Sequence, residues 1–299
     1  MTERLVPWIA AVWALAYAAV RGYWVLAGEP AWGRGSDLTL PGWSAIGLCV
    51  AAAAVVVALR TTGGRAVLVL AAWVLSVALT GAAAMVLLDV VGGILPDMGI
   101  PQDGMGFLSR MGCLAVAALT GATALAYQRR LRGCARCSGI PRLARTPRWA
   151  YLGAYAAVTG FAFRVFAQFA LFDSDGIPSR GGPQLLIFEA GFVLGGVLLP
   201  LALVHSWGKV WPRWVVPLAG RRVPRWLVVG PGFAVAGALC GYFGMGLAQL
   251  VLETLNGTLQ QPVFMWVAVP AYVMWGVGVA TASVAYYRIT RPACAACGR

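Results

Sequence analysis

The stretch Tyr127-Gln128-Arg129-Arg130-Leu131-Arg132-Gly133-Cys134-Ala135-Arg136-Cys137 closes one long apolar run. A second version, Tyr286-Tyr287-Arg288-Ile289-Thr290-Arg291-Pro292-Ala293-Cys294-Ala295-Ala296-Cys297, closes the last apolar run of the chain. Each begins with Tyr, carries Arg two and five residues on, and ends in Cys-x-x-Cys followed by small residues. Two units with one kind of ending are implied, residues 1–140 and 141–299.

Composition sets the class. With 60% hydrophobic and 11% charged residues over 299 positions, and a mean hydropathy of +0.78, the chain is too apolar for a soluble globular protein. A hydrocarbon core of ~30 Å needs about 20 helical residues. Eight apolar runs meet that length, near 6–27, 43–60, 66–91, 106–128, 149–172, 184–206, 226–253 and 263–287. Helices are implied because a continuous apolar run satisfies its own backbone in lipid, whereas the ten-residue alternation of a barrel strand is missing. The first run has no small-residue cleavage pattern and reads as a retained helix.

The net charge of +13 does not point to nucleic acid, because the cations are segregated by side. The N-terminus, the connections after the second, fourth and sixth runs, and the C-terminus hold 18 of the 23 basic residues. By the positive-inside rule these are cytoplasmic, both termini included. Most acids, among them Glu29, Asp37 and Asp103, fall on the outer side. The expected fold is an all-α integral membrane protein of eight transmembrane helices.

Further matches support a duplication. Ala16-Tyr17-Ala18-Ala19-Val20 recurs as Ala154-Tyr155-Ala156-Ala157-Val158, with Gly22 matched by Gly160. Ala78-Leu79-Thr80-Gly81 recurs as Ala238-Leu239-Cys240-Gly241. Four crossings per unit give both the same orientation, hence two parallel four-helix repeats. The matched glycines are expected at close helix contacts. The second unit carries extra residues over 205–226, where Trp207, Trp211, Pro212, Arg213, Arg221, Arg222, Pro224 and Arg225 suit a segment in the cytoplasmic interface touching anionic lipid.

Cys134, Cys137, Cys294 and Cys297 have the spacing of paired zinc knuckles. Meeting at equivalent helix ends, four thiolates close a tetrahedral structural Zn site, and nearby arginines favour the thiolate. An iron or redox role, or unpaired thiols, remain alternatives. Cys49, Cys113 and Cys240 lie inside apolar runs and read as packing residues. His205 is the only histidine and reads as an interfacial residue.

Arg21, Asp89, Arg110, Arg164, Glu189 and Glu253 lie inside runs near their outer ends, with Gln168 and Gln249. Intramembrane charges usually face a bundle interior or a watery cavity. A ligand site between the halves is expected from Arg21, Asp89, Arg164, Glu189 and Gln249; the alternative for Arg164 and Glu189, on adjacent helices, is a purely structural ion pair. Three functions fit: a small transporter or ligand-binding protein; an intramembrane enzyme on a lipid-like or terpenoid substrate, with Glu189 or Asp89 as a buried acid; or a scaffold presenting the cysteine face. No P-loop, dinucleotide fingerprint or serine elbow occurs.

The Arg221-Arg222-Val223-Pro224-Arg225-Trp226 connection and the Ala-Tyr-Ala-Ala-Val starts resemble uncharacterised multi-pass membrane proteins of GC-rich actinobacteria. The resemblance implies a bacterial inner membrane and carries over no catalytic residue.

Overall fold

A computed structural model describes residues 2–33, 35–62, 65–94, 103–132, 142–171, 183–213 and 215–292. Among them the regular structure is helical apart from one isolated β-bridge, Val210 with Arg222. The chain divides at Ile140 and Pro141 into two compact units. The first holds α1 (Thr2–Ala27), α2 (Gly42–Thr62), α3 (Ala66–Ala82), α4 (Val86–Ile94) and α5 (Gly104–Leu131). The second holds α6 (Arg148–Ala170), α7 (Pro183–Val193), α8 (Leu199–Val204), α9 (Arg225–Asn256) and α10 (Pro262–Thr290). Among the described residues seven helices are long and apolar enough to cross a membrane, and an eighth crossing results if the bent pair α3–α4 is one span. The protein is a helical multi-pass membrane protein.

In the first unit α1 packs on α2 and α5, α2 also meets α3, and α3 lies along α5. Its core is rich in alanine, with Ala10, Ala14, Ala45, Ala52 and Ala82 buried beside Cys49, Val56, Leu79 and Val116. Small residues let backbones approach, which in lipid replaces the hydrophobic drive that water would supply.

The third apolar run, expected as one helix, is two. α3 and α4 meet at a bend of 45°. The cause is a strand of loop laid against the break: the Thr39 amide donates to the Ala82 carbonyl at 3.0 Å, and its hydroxyl donates to Gly81 O and Ala82 O at 3.1 and 3.2 Å. A donor inserted into the i to i−4 ladder is a recognised origin of a kink. The loop holding Thr39 also buries Asp37 and Leu38.

In the second unit α6 and α10 cross closely. A Cβ on Gly160 would sit 2.6 Å from the Ala271 carbonyl, and one on Gly278 would collide with the Gly153 carbonyl. α9 packs on α10, and α8 touches α6, α9 and α10. Of the matched glycines, Gly160 therefore marks a close contact as expected, but Gly22 and Gly241 do not: both face open space.

The sixth run is also interrupted. Between α7 and α8 lies one π-helical turn, Leu194–Leu198. Pro200 cannot donate to the carbonyl of Gly196 and its ring crowds that carbonyl, so the chain widens by one residue per turn just before it. The Trp275 indole donates to the Gly195 carbonyl at 3.1 Å, holding the widened turn against α10.

The 205–226 connection, expected to lie flat, folds as a short hairpin. Trp211 N donates to Arg221 O and Val223 N to Lys209 O, both at 3.0 Å. The Tyr286 hydroxyl pins its base by donating to Gly208 O at 2.7 Å. Trp207, Arg213, Val216, Arg221, Arg222 and Trp226 are exposed on it.

Candidate functional site

The ionisable residues inside the apolar helices fall into two chemically opposite arrangements, one in each unit. In the first unit Asp103 starts α5 as its N-cap, accepting from the Gly106 amide at 2.9 Å. Two turns further on, the same helix presents Ser109 and Arg110, both buried.

Arg110 donates in several directions. Its Nε donates to the Asp37 carbonyl at 2.6 Å. One terminal nitrogen donates to both Asp89 carboxylate oxygens, at 2.9 and 2.7 Å. The other donates to Asp103 Oδ2 at 3.0 Å and to Ser36 O at 3.2 Å. All three guanidinium nitrogens therefore donate, to five acceptor atoms in all.

Beside it, Arg21 on α1 pairs with the Asp37 carboxylate, which also accepts from the Ser109 hydroxyl at 2.6 Å. Because the Ser109 hydrogen is committed to Asp37, the Tyr17 hydroxyl 2.9 Å away is the donor to Ser109. Tyr17, Arg21, Asp37, Asp89, Asp103, Ser109 and Arg110 are all buried. Burial acts to raise the Asp103 pKa but is outweighed by the amides of Gly106 and Gly33 and by Arg110, so this carboxyl is held below its ordinary value.

The arrangement ties α1, α4, α5 and the 28–41 loop into one electrostatic clasp. Arg110 has little capacity left for a ligand, whereas the buried Arg21 Nε has no hydrogen-bond partner among the described residues. Removing one partner of a buried pair strands the other's charge, so the clasp is a stability element.

In the second unit Arg164 has different company. Its Nε donates to the Tyr272 hydroxyl at 2.7 Å, and a terminal nitrogen donates to Gln168 Oε1 at 2.8 Å. The guanidinium carbon lies 5.1 Å from the Tyr272 ring centroid and 5.9 Å from that of Phe264. Tyr272 stacks on Phe243 at 3.7 Å and continues through Trp275 and Phe192. Among the described residues no carboxylate pairs with Arg164. Its positive charge is held by a phenol, an amide oxygen and two aromatic faces, and is only half-buried.

Above it, at the turn from α9 to α10, Glu253, Thr258, Gln260, Gln261, Phe264 and Met265 line an open cleft of about 480 Å³. Phe264 thus borders both the cleft and Arg164. Glu253 is exposed and has no cationic partner among the described residues.

The five residues expected to share a site are distributed as follows. Arg21 and Asp89 belong to the clasp, paired with Asp37 and Arg110 respectively. Arg164, Glu189 and Gln249 belong to the second unit. Glu189 is exposed on α7 and makes no ion pair with Arg164 among the described residues, so the alternative of a structural pair is not seen there. Gln249 is exposed on α9.

Sequence reasoning did not assemble Asp37 and Asp103 with Arg110, because both acids were read as solvated loop residues. Nor did it single out Tyr272, Phe264 and Phe243, whose signal is an aromatic series on α9 and α10 facing an arginine on α6.

Cys134, Cys137, Cys294 and Cys297 lie outside the described residues. Among the described residues no group of three or more His, Cys, Asp or Glu is arranged to hold a metal ion. Cys49 and Cys113 are buried, and Cys113 donates weakly to Leu79 O at 3.4 Å, as packing residues do. His205 sits against the rings of Tyr151 and Tyr155.

Compared with known proteins, the chain matches no family model, no curated protein and no solved structure.

Proposed function

We propose that this protein is a small-molecule transporter or ligand-binding protein of a bacterial inner membrane, and that its second unit binds an anionic solute at Arg164. The observation that carries the reading is the state of that arginine: a cation six residues inside the end of a membrane-crossing helix, with no carboxylate beside it among the described residues. A charged side chain within a span costs roughly 2.5–3.5 kcal/mol and is retained where it does something. Arg110, equally intramembrane, is neutralised by its own chain. Among the described residues, Arg164 has no such internal counter-ion.

The surroundings suit that role. Gln168 and Tyr272 hold the guanidinium in place, and the rings of Phe264 and Tyr272 flank it, which suits a charge-assisted hydrogen bond to a bound anion. Interrupted helices, such as α3–α4 and the π turn after α7, accompany solute sites in many transporters.

The same reading has both termini in the cytoplasm, the two units as parallel repeats, a four-cysteine Zn site at the cytoplasmic ends, and the 205–226 hairpin on anionic lipid. The positive-inside count supports the orientation. In each unit the first and third helical spans lie on the last, which supports the repeat.

The test is binding by the full chain in detergent, read by thermal unfolding with acetate, benzoate or ethyl phosphate. A ligand at ten times its dissociation constant stabilises by about 1.4 kcal/mol. At least one anion is expected to raise the midpoint of the wild type and not that of Arg164→Gln. Equal responses in the two proteins would remove Arg164 from the site.

A further inference from the structure

The cleft next to Arg164 has its own chemistry. Its acid, Glu253, stands three residues before the end of α9 and lacks a cationic partner among the described residues. Around it are the amide side chains of Gln260 and Gln261 and the hydroxyl of Thr258. An acid, carbonyl oxygens and an aromatic face in one concavity are what an ammonium group requires, since each of its N–H donors needs an acceptor and its charge needs a counter-charge.

The turn is held in a shape that keeps these groups together. Gln261 has φ 48° and ψ 57°, a left-handed conformation in a non-glycine residue directly before Pro262. Such a conformation persists only where the surroundings impose it, and it tends to occur at ligand clamps. Gly257, at φ 68°, makes the preceding left-handed turn without strain and donates back to Thr254 O at 3.3 Å. Trp266 fixes the neighbouring wall by donating to the Thr254 hydroxyl at 3.1 Å.

Phe264 joins this cleft to Arg164. Its ring lines the cleft and lies 5.9 Å from the guanidinium carbon. One aromatic side chain therefore borders both a carboxylate that has no cation and a guanidinium that has no carboxylate among the described residues. They do not neutralise each other by an ion pair. A ligand that bridges the ring satisfies both.

We infer that the ligand of the second unit is a zwitterion, a molecule bearing an ammonium group that pairs with Glu253 and an anionic group that pairs with Arg164. This rests on the anion-binding reading of Arg164 and adds the second pole. Such chemistry occurs in free amino acids and phosphoamines and in the headgroup of phosphatidylethanolamine.

Phosphoethanolamine and ethyl phosphate carry the same anion and differ by the ammonium group, so they separate the two poles. Binding of each to the full chain in detergent is measured by calorimetry for the wild type, Glu253→Gln and Arg164→Gln. The wild type is expected to prefer phosphoethanolamine by about tenfold or more, as a charge-assisted hydrogen bond provides. Glu253→Gln is expected to lose that preference while binding ethyl phosphate as before. Glu253 is exposed, so the variant folds.

A wild type without the preference, or a preference unchanged in Glu253→Gln, overturns the zwitterion assignment and leaves anion binding standing. Ethyl phosphate binding unchanged in Arg164→Gln overturns the anion site instead, and failure of both probes to bind overturns both, unless phosphatidylethanolamine is retained. That arm is run in lipid nanodiscs by native mass spectrometry. Retention of phosphatidylethanolamine over phosphatidylglycerol, lost in Glu253→Gln, supports the same chemistry with the membrane as source.

Discussion

Replacing Arg110 by Met should cost this protein more stability than any other single change to an intramembrane charge. Met fills much of the volume but donates nothing, so five hydrogen bonds are lost together. Asp89 and Asp103 lose their guanidinium, and Asp89 is left buried beside apolar helices. Removing one partner of a buried ion pair costs about 3–5 kcal/mol. At roughly 2–4 °C per kcal/mol, the midpoint of thermal unfolding in detergent should fall by roughly 6–20 °C. Asp103→Asn is the graded control: it keeps a side chain able to cap α5 and removes a single carboxylate, so its loss should be smaller. Arg164→Gln is the negative control, since it strands no carboxylate among the described residues. The assay is unfolding followed by circular dichroism in one detergent for all four proteins. If Arg110→Met unfolds within about 2 °C of the wild type, the clasp contributes little and the assignment of Arg110 to stability is wrong.

The cysteines and the hairpin give two further predictions. Elemental analysis of protein purified without chelator should find about one Zn per chain in the wild type and none in Cys294→Ser, as expected if four thiolates share one ion; metal-free wild-type protein would eliminate the site. The hairpin exposes Arg213, Arg221 and Arg222, and the sequence from residue 190 to 252 contains no acid to neutralise them. Each cation near an anionic surface contributes about 1 kcal/mol. The triple substitution to Gln should therefore cut phosphatidylglycerol retained in native mass spectra by well over tenfold relative to phosphatidylcholine, and unchanged retention would place the anionic lipid elsewhere.

The apolar runs made the helices legible, because in lipid a run of that length has no alternative backbone solution. The interruptions were harder. Pro200 was visible, but the break after Ala82 has no proline, and its cause is Thr39, more than forty residues earlier, reaching the Gly81 and Ala82 carbonyls. Linear reading identifies charges and their depth but not their partners. Arg164 and Glu189 lie on consecutive helices, which makes a structural ion pair one reading of them. Rotation about a helix axis decides such a pairing, and in runs apolar on every face no hydrophobic stripe reports that rotation. The clasp was obscured for a related reason: Asp37 looks like a solvated loop acid until the loop folds inward.

The contrast between Arg110 and Arg164 shows why depth alone is a poor guide to function. Both are arginines inside apolar helices, and counted along the chain they are equivalent. A guanidinium with five internal acceptors gains nothing from a ligand, since any new contact replaces one at least as good, and its worth appears as stability. One held by a phenol, an amide oxygen and two rings keeps its orientation without losing its charge. A bound anion there adds an interaction the fold does not already make, so the energy appears as affinity. Placing an acid beside Arg164 should thus trade the second behaviour for the first. Gln168→Glu supplies that acid at the atom already 2.8 Å from the guanidinium. The variant should abolish anion binding while raising the unfolding midpoint in the absence of ligand, and a variant that still binds anions would show that the charge of Arg164, paired with no carboxylate among the described residues, is not what selects them.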